Sequence, residues 1–189
     1  MTRIRLKKRL IMNCLAAVLA ATALSGCEKA AVQPESTKQE AKEKATKKVK
    51  HVYLAGPFFN ETEIKNIERV EEILTKKGIT FFSPMRHSVD GEVGSNEWAE
   101  KVFEMDLEEI AGADAVVAVY DGNYSDSGTS WECGYAYGKG IPVILVHVDE
   151  DGDSNLMLHI GCTSNVNLDD LEDYDFDSMP EYEYEGKMF

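Results

Sequence analysis

Between positions 51 and 168, short apolar runs alternate with stretches of helical periodicity. HVYLA, 51–55, is a β-branched and aromatic run that stops at Gly56-Pro57, which predicts a strand and a turn. Ile64, Ile67, Val70, Ile73 and Leu74 then fall on one helical face, ending at Lys77-Gly78. ITFFSP predicts a second strand, and a polar loop with Gly91 and Gly94 follows it. Ser95 is placed to cap a helix running through Trp98, Val102, Met105, Leu107 and Ile110. DAVVAVY and IPVILVHV are apolar enough for strands buried on both faces. Between them SDSGTSWECGYAYGKG, 125–140, gives a third helix, and Asn165–Leu168 suggests a fifth strand. Strands alternating with helices predict an α/β fold: a doubly wound, flavodoxin- or Rossmann-like parallel sheet of five strands flanked by helices. Ligands of such sheets bind beyond the carboxyl ends of the strands. Here those ends carry Gly56–Asn60, Ser83–Ser95 and Asp121–Gly128.

The first fifty residues do not share this pattern. Arg3, Arg5, Lys7, Lys8 and Arg9 precede an apolar stretch, Leu10–Ala23, and then Leu24-Ser25-Gly26-Cys27. A basic start, a short apolar run and small residues before a cut describe a secretory signal. LSGC resembles the lipobox of bacterial lipoproteins. The expectation is a signal peptide over 1–26, lipidation of Cys27, and a membrane-anchored, extracytoplasmic protein. Residues 27–50 have almost no large apolar side chain and read as a solvated tether. The domain, 51–189, is long enough for a core of its own. It carries 8 Lys and Arg against 30 Asp and Glu, a formal net charge of −22. That surface repels nucleic-acid backbones, so no polymer partner is expected, while a small uncharged substrate remains open. The four histidines show no metal-ligand spacing, and no metal or cofactor is expected.

The candidate chemistry centres on Glu132, one acid in a run of small, hydroxyl and aromatic residues. Gly128 is expected to make the turn after the third strand, and Glu132 to fall in about the first helical turn, where the dipole favours its ionised form. Gly134, Ala136 and Gly138 are expected to let that helix lie close on the sheet. A rigid, ionised carboxylate suits a nucleophile on an electrophilic sugar carbon, with Asp106 and Asp126 available for the other polar work. On residue types alone, Glu132 equally fits an acid that favours a helix start. Tyr53 fits a strand aromatic, Asp106 a solvated acid among Glu104, Glu108 and Glu109, Met157 core filler, and Asn155 a cap.

VYLAGPFF, MDLEEI, DSGTSWECGYA, NLM at 155–157, LEDYDF and the terminal YEGKMF together, in this order and spacing, resemble nucleoside 2-deoxyribosyltransferases over essentially all of 52–189. The resemblance implies transfer of a 2-deoxyribosyl group between nucleobases by homo-oligomers, with 2'-deoxynucleosides and free bases as partners. It implies Glu132 as nucleophile, Tyr53 positioning it, and Asp106 as proton donor. Asp126 would hold sugar or base, while Gly56, Phe58 and Phe59 would line the base pocket. Asn155 would reach a neighbouring subunit's site, Met157 would contact substrate, and Phe189 would bring the terminal carboxylate close to the site. The loop SPMRHSVDGEVGS departs from the family and is expected to set base preference. Arg86 and His87 in it alternatively face a phosphate, the mark of a 2'-deoxynucleoside 5'-phosphate N-hydrolase. A lipid-tethered protein that captures nucleosides without turnover is the reading from another class.

Overall fold

The computed structural model describes residues 5–6, 48–122, 126–149, 154–183 and 186–189. The expected signal segment other than 5–6 and the expected tether to position 47, with Cys27, lie outside the described residues. So does Tyr184.

The elements follow in the expected order. They are β1 His51–Ala55, α1 Glu61–Lys76, β2 Thr80–Phe82, α2 Asn96–Gly112, β3 Ala115–Tyr120, α3 Ser127–Lys139, β4 Val143–His147, α4 Leu156–Gly161 and β5 Ser164–Asn167. The five strands are all parallel, in the order β2-β1-β3-β4-β5. The chain therefore winds to one side of β1 and then to the other. The direction changes between β1 and β3, where Tyr53 is registered against both Phe82 and Val116. A two-residue antiparallel pairing joins Arg5–Leu6 to Tyr182–Glu183.

Alternation along the strands divides the core in two. Val52, Leu54, Val117, Val119, Ile144 and Val146 face α1 and the segment from Leu168 to Phe176. Tyr53, Ala55, Val116, Ala118, Tyr120 and Leu145 face Ile110 of α2, Cys133 and Ala136 of α3, and Leu158 of α4. Both faces of β3 are covered, so all six of its residues are buried. The acidic tail is part of this core, because Tyr174 and Phe176 are buried edge to face at 5.1 Å.

Local chemistry fixes the helix starts. The Asn60 side chain accepts from the N–H groups of Thr62 and Glu63, and Ser95 Oγ accepts from Trp98. Gly56, at φ +155°, is demanded by close approach: a Cβ there would lie 2.7 Å from Ile67 Cδ1 and 3.0 Å from Val119 Cβ. Two expectations about the α3 glycines fail. Gly128 is the second helical residue and does not form the turn, which Asp126 closes as cap. A Cβ on Gly134 or Gly138 would meet nothing within 4 Å, so these glycines face outward. The helix approaches the sheet through Thr129, Cys133 and Ala136 instead.

Candidate active site

Tyr53 leaves β1 on the α2–α3 side of the sheet. Its buried ring stacks on Phe82 of the neighbouring strand, with centroids 5.8 Å apart and planes 17° apart. Its hydroxyl donates to Glu132 Oε1 at 2.7 Å, joining a strand to a helix across 79 positions of sequence. Asp106 approaches the same hydroxyl from α2, close enough for its charge to act on both Tyr53 and Glu132. The Asp106 Oδ1 atom is buried without a hydrogen-bond partner among the described residues. Such an atom is costly unless protonated or met by a ligand.

Burial sets the electrostatics. It pushes the Glu132 carboxyl up to about 7, against the hydrogen bond from Tyr53 and with the charges of Asp106 and Asp126 adding to the rise. Burial likewise pushes Asp106 to about 6; Tyr53 and His87 oppose the rise and Glu109 adds to it. The Tyr53 phenol is raised far above its ordinary value by burial and by the carboxylates of Glu132 and Asp106. The expectation of a dipole-ionised Glu132 is thereby corrected. Glu132 sits in the second turn of α3, beyond the reach of the first-turn donors, and desolvation dominates. Asp126 takes the dipole end: its Oδ2 accepts from Thr129 N at 2.6 Å and from Thr129 Oγ1 at 2.8 Å.

The remaining expected residues fall in two places. Phe58 and Phe59 follow β1 and stack on each other at 5.4 Å, with Phe59 77% exposed. Asn155, Met157 and Phe189 gather at the start of α4. Asn155 caps that helix through Met157 N, and its own N–H donates to Tyr120 Oη at 2.9 Å. The terminus is stapled alongside: Phe189 N–H donates to Ser154 O and Leu156 N–H to Phe189 O, each at 3.1 Å. Met157 and Phe189 both point outward. A cleft of about 580 Å³ opens near Pro57, Glu61, Glu63 and Asp121. It lies on the α1 side, where Val119 is packed, while Tyr53 belongs to the opposite face.

Phe82 and His87 were not singled out as members of the carboxyl group's surroundings. His87 stacks on Phe82 at 4.1 Å and 17°, extending the ring column that begins at Tyr53. The only sequence signal was a histidine in the polar loop after β2. Arg86, beside it, turns the other way. Its guanidinium holds both oxygens of Glu71, at 2.6–3.1 Å, and Glu68 at 3.3 Å. Two carboxylates thus occupy the cation that the phosphate reading needed. Among the described residues no group of three His, Cys, Asp or Glu is arranged to hold a metal ion.

The family model for nucleoside 2-deoxyribosyltransferases matches residues 52–169, which include Tyr53, Asp106, Asp126 and Glu132. The chain belongs to that family. Membership of a transferase family makes it an enzyme. A nucleoside deoxyribosyltransferase of Lactobacillus johnsonii is 34% identical over 96 residues, which are 49% of this chain and 64% of that protein. The match thus spans just under two thirds of that relative. Another, of Limosilactobacillus fermentum, is 29% identical over 143 residues, 66% of this chain and 85% of that one. The solved structure of a 2-deoxyribosyltransferase from Bacillus psychrosaccharolyticus superposes with a TM-score of 0.66 at 38% identity, covering 71% of this chain and 98% of that chain.

Proposed function

We propose that this protein moves a 2-deoxyribosyl group between nucleobases through a covalent intermediate on Glu132. The observation that carries the reading is the 2.7 Å bond from Tyr53 to Glu132 beside the raised carboxyl of Asp106, whose buried Oδ1 has no partner among the described residues. The Glu132 carboxylate attacks C1' of a 2'-deoxynucleoside, and the C1'–N bond breaks with its electron pair going to the base. A base is a poor leaving group as an anion, so Asp106 gives that nitrogen a proton. A second base then attacks C1' from the face the first one left. Glu132 departs as carboxylate, and the incoming base returns a proton to Asp106. Two inversions give retention. Phe58 and Phe59 supply aromatic walls for the planar base, and Asp126, already a cap, presents a carboxylate toward the sugar.

Incubation with deoxyinosine and free adenine tests the reading. Deoxyadenosine should form, and a deoxyribosyl adduct on Glu132 should appear by mass spectrometry. Release of base and free sugar alone would establish a hydrolase instead, and a wild-type rate equal to that of Glu132→Ala would end the catalytic reading.

Two further expectations belong to the same proposal. Leu156, Met157, Ile160, Met188 and Phe189 form an exposed apolar group around Asn155, larger than scattered surface residues need. We infer that a second copy covers it and that Asn155 completes the neighbour's site. Mixing inactive Glu132→Ala with inactive Asn155→Ala should then restore part of the activity. Among the described residues no helix is long and apolar enough to cross a membrane. Anchoring is proposed through lipid on Cys27, and Cys27→Ala should release the protein from the membrane fraction.

A further inference from the structure

The turn after β2 holds a side chain in a fixed pose that the reaction above does not use. His87 Nδ1 lies 2.9 Å from the Ser83 carbonyl oxygen. A carbonyl only accepts, so Nδ1 carries the hydrogen, and a neutral ring presents Nε2 as an acceptor. Among the described residues no hydrogen bond occupies Nε2, and the residue is exposed. The ring cannot swing freely. One face stacks on Phe82, itself stacked on Tyr53. The backbone just before it is clamped to α1 by Arg86, which grips Glu71 and Glu68. The column Tyr53–Phe82–His87 puts the imidazole on the side of the sheet that carries the two carboxyls, and its charge is felt at Asp106.

We propose that His87 is a specificity-determining residue, whose Nε2 accepts a hydrogen bond from the exocyclic amino group of a nucleobase and so selects amino bases over their oxo counterparts. This rests on the deoxyribosyl-transfer reading of the site. The chemistry follows from the fixed tautomer. An amino group at position 6 of a purine donates to Nε2, whereas an oxo group there sets lone pair against lone pair. A pre-positioned acceptor discriminates because the mismatch leaves it unpaired. Stacking on one face and the anchoring of Arg86 beside it lower the cost of orienting the acceptor.

The test uses the full chain at pH 8. Deoxyuridine is the common donor, with adenine and hypoxanthine, which differ at position 6, as competing acceptors. The ratio of kcat/KM should favour adenine by about tenfold, the worth of one hydrogen bond. In His87→Phe, which keeps a ring over Phe82 but has neither nitrogen, the ratio should fall to near one as adenine loses its hydrogen bond and hypoxanthine its mismatch. A wild-type ratio at or below one, an unchanged ratio in the variant, or an equal loss with both acceptors would overturn the proposal. Calorimetric binding of the two free bases separates this from failure of the transfer reading. If wild type shows no exchange yet binds adenine more tightly, and His87→Phe loses that preference, the specificity stands and the reaction assignment falls. Equal affinities would refute the specificity on their own.

Discussion

Removal of the Tyr53 hydroxyl alone isolates one interaction in the site. Tyr53→Phe keeps the ring and its stack on Phe82 and deletes the donor that lies 2.7 Å from Glu132. A hydrogen bond to a carboxylate contributes about 1.5–3 kcal/mol, equivalent to about one to two pH units in the Glu132 ionisation. The sign follows from the roles proposed above. Glu132 acts only when ionised, and Tyr53 is the group that opposes the rise caused by burial. Without it ionisation is harder, and the acid limb of the activity profile moves to higher pH. Asp106, which must be protonated, also loses the lowering influence of Tyr53, so the alkaline limb moves the same way. At pH 6 the variant's kcat/KM should be down by roughly 10- to 100-fold, with the deficit shrinking steadily towards pH 8 to 9. The assay is the pH dependence of deoxyinosine–adenine exchange for wild type and variant. A uniform loss at every pH, or a profile that does not move, would refute the reasoning, since neither comes from a shifted ionisation.

Glu132→Gln should abolish exchange yet stabilise the fold at pH 8. A carboxyl raised from 4.5 to about 7 contributes stability that is present below 4.5 and lost as pH rises through 7. The neutral amide escapes that loss, so its unfolding free energy should exceed wild type by on the order of 2 kcal/mol at pH 8 and match it near pH 4. Gly56→Ala should cost about 2–4 kcal/mol in urea unfolding, because the added Cβ meets Ile67 and the rigid Val119 Cβ. Gly138→Ala, with open space around it, should stabilise an isolated chain by about 0.5–1 kcal/mol. If a second copy packs on that helix face, the same change should instead weaken association in sedimentation.

The fold was legible because its strands announce themselves. VVAV in β3 and ILV in β4 are buried on both faces, and the helical periodicity of α1 ends at Gly78, whose φ is +71°. The same uniform burial hid the site. When both faces of β1 are apolar, hydrophobicity does not say which residue looks towards which helix. That Tyr53 faces α3 and Leu54 faces α1 emerges only with the sheet order. The family resemblance supplied the Tyr53–Glu132 pairing that periodicity alone did not. The glycines of α3 misled for a related reason. A small residue in a helix looks like close packing whether it faces the sheet or solvent, and the phase of α3 is set by Thr129, Cys133 and Ala136. Asp126, Ser127, Gly128 and Thr129 in fact spell a cap, with Thr129 three residues after the acid that bonds it.

The cause of the Glu132 ionisation also differs from what position in a helix suggests, and for the proposed transfer it has a kinetic consequence. Burial raises both carboxyls, Glu132 to about 7 and Asp106 to about 6, so near neutral pH the free pair retains protons that isolated carboxylates would lose. The proposed transfer requires one arrangement of such a proton, with Glu132 ionised and Asp106 protonated. Tyr53 favours the Glu132 anion through its hydrogen bond and also lowers Asp106, so it acts on both members of the pair. In the proposed transfer a bound base favours protonated Asp106 by giving its buried Oδ1 a polar partner, which none of the described residues supplies. On that reading substrate binding and proton placement are one event, and the carboxylate becomes a nucleophile when there is a base to protonate.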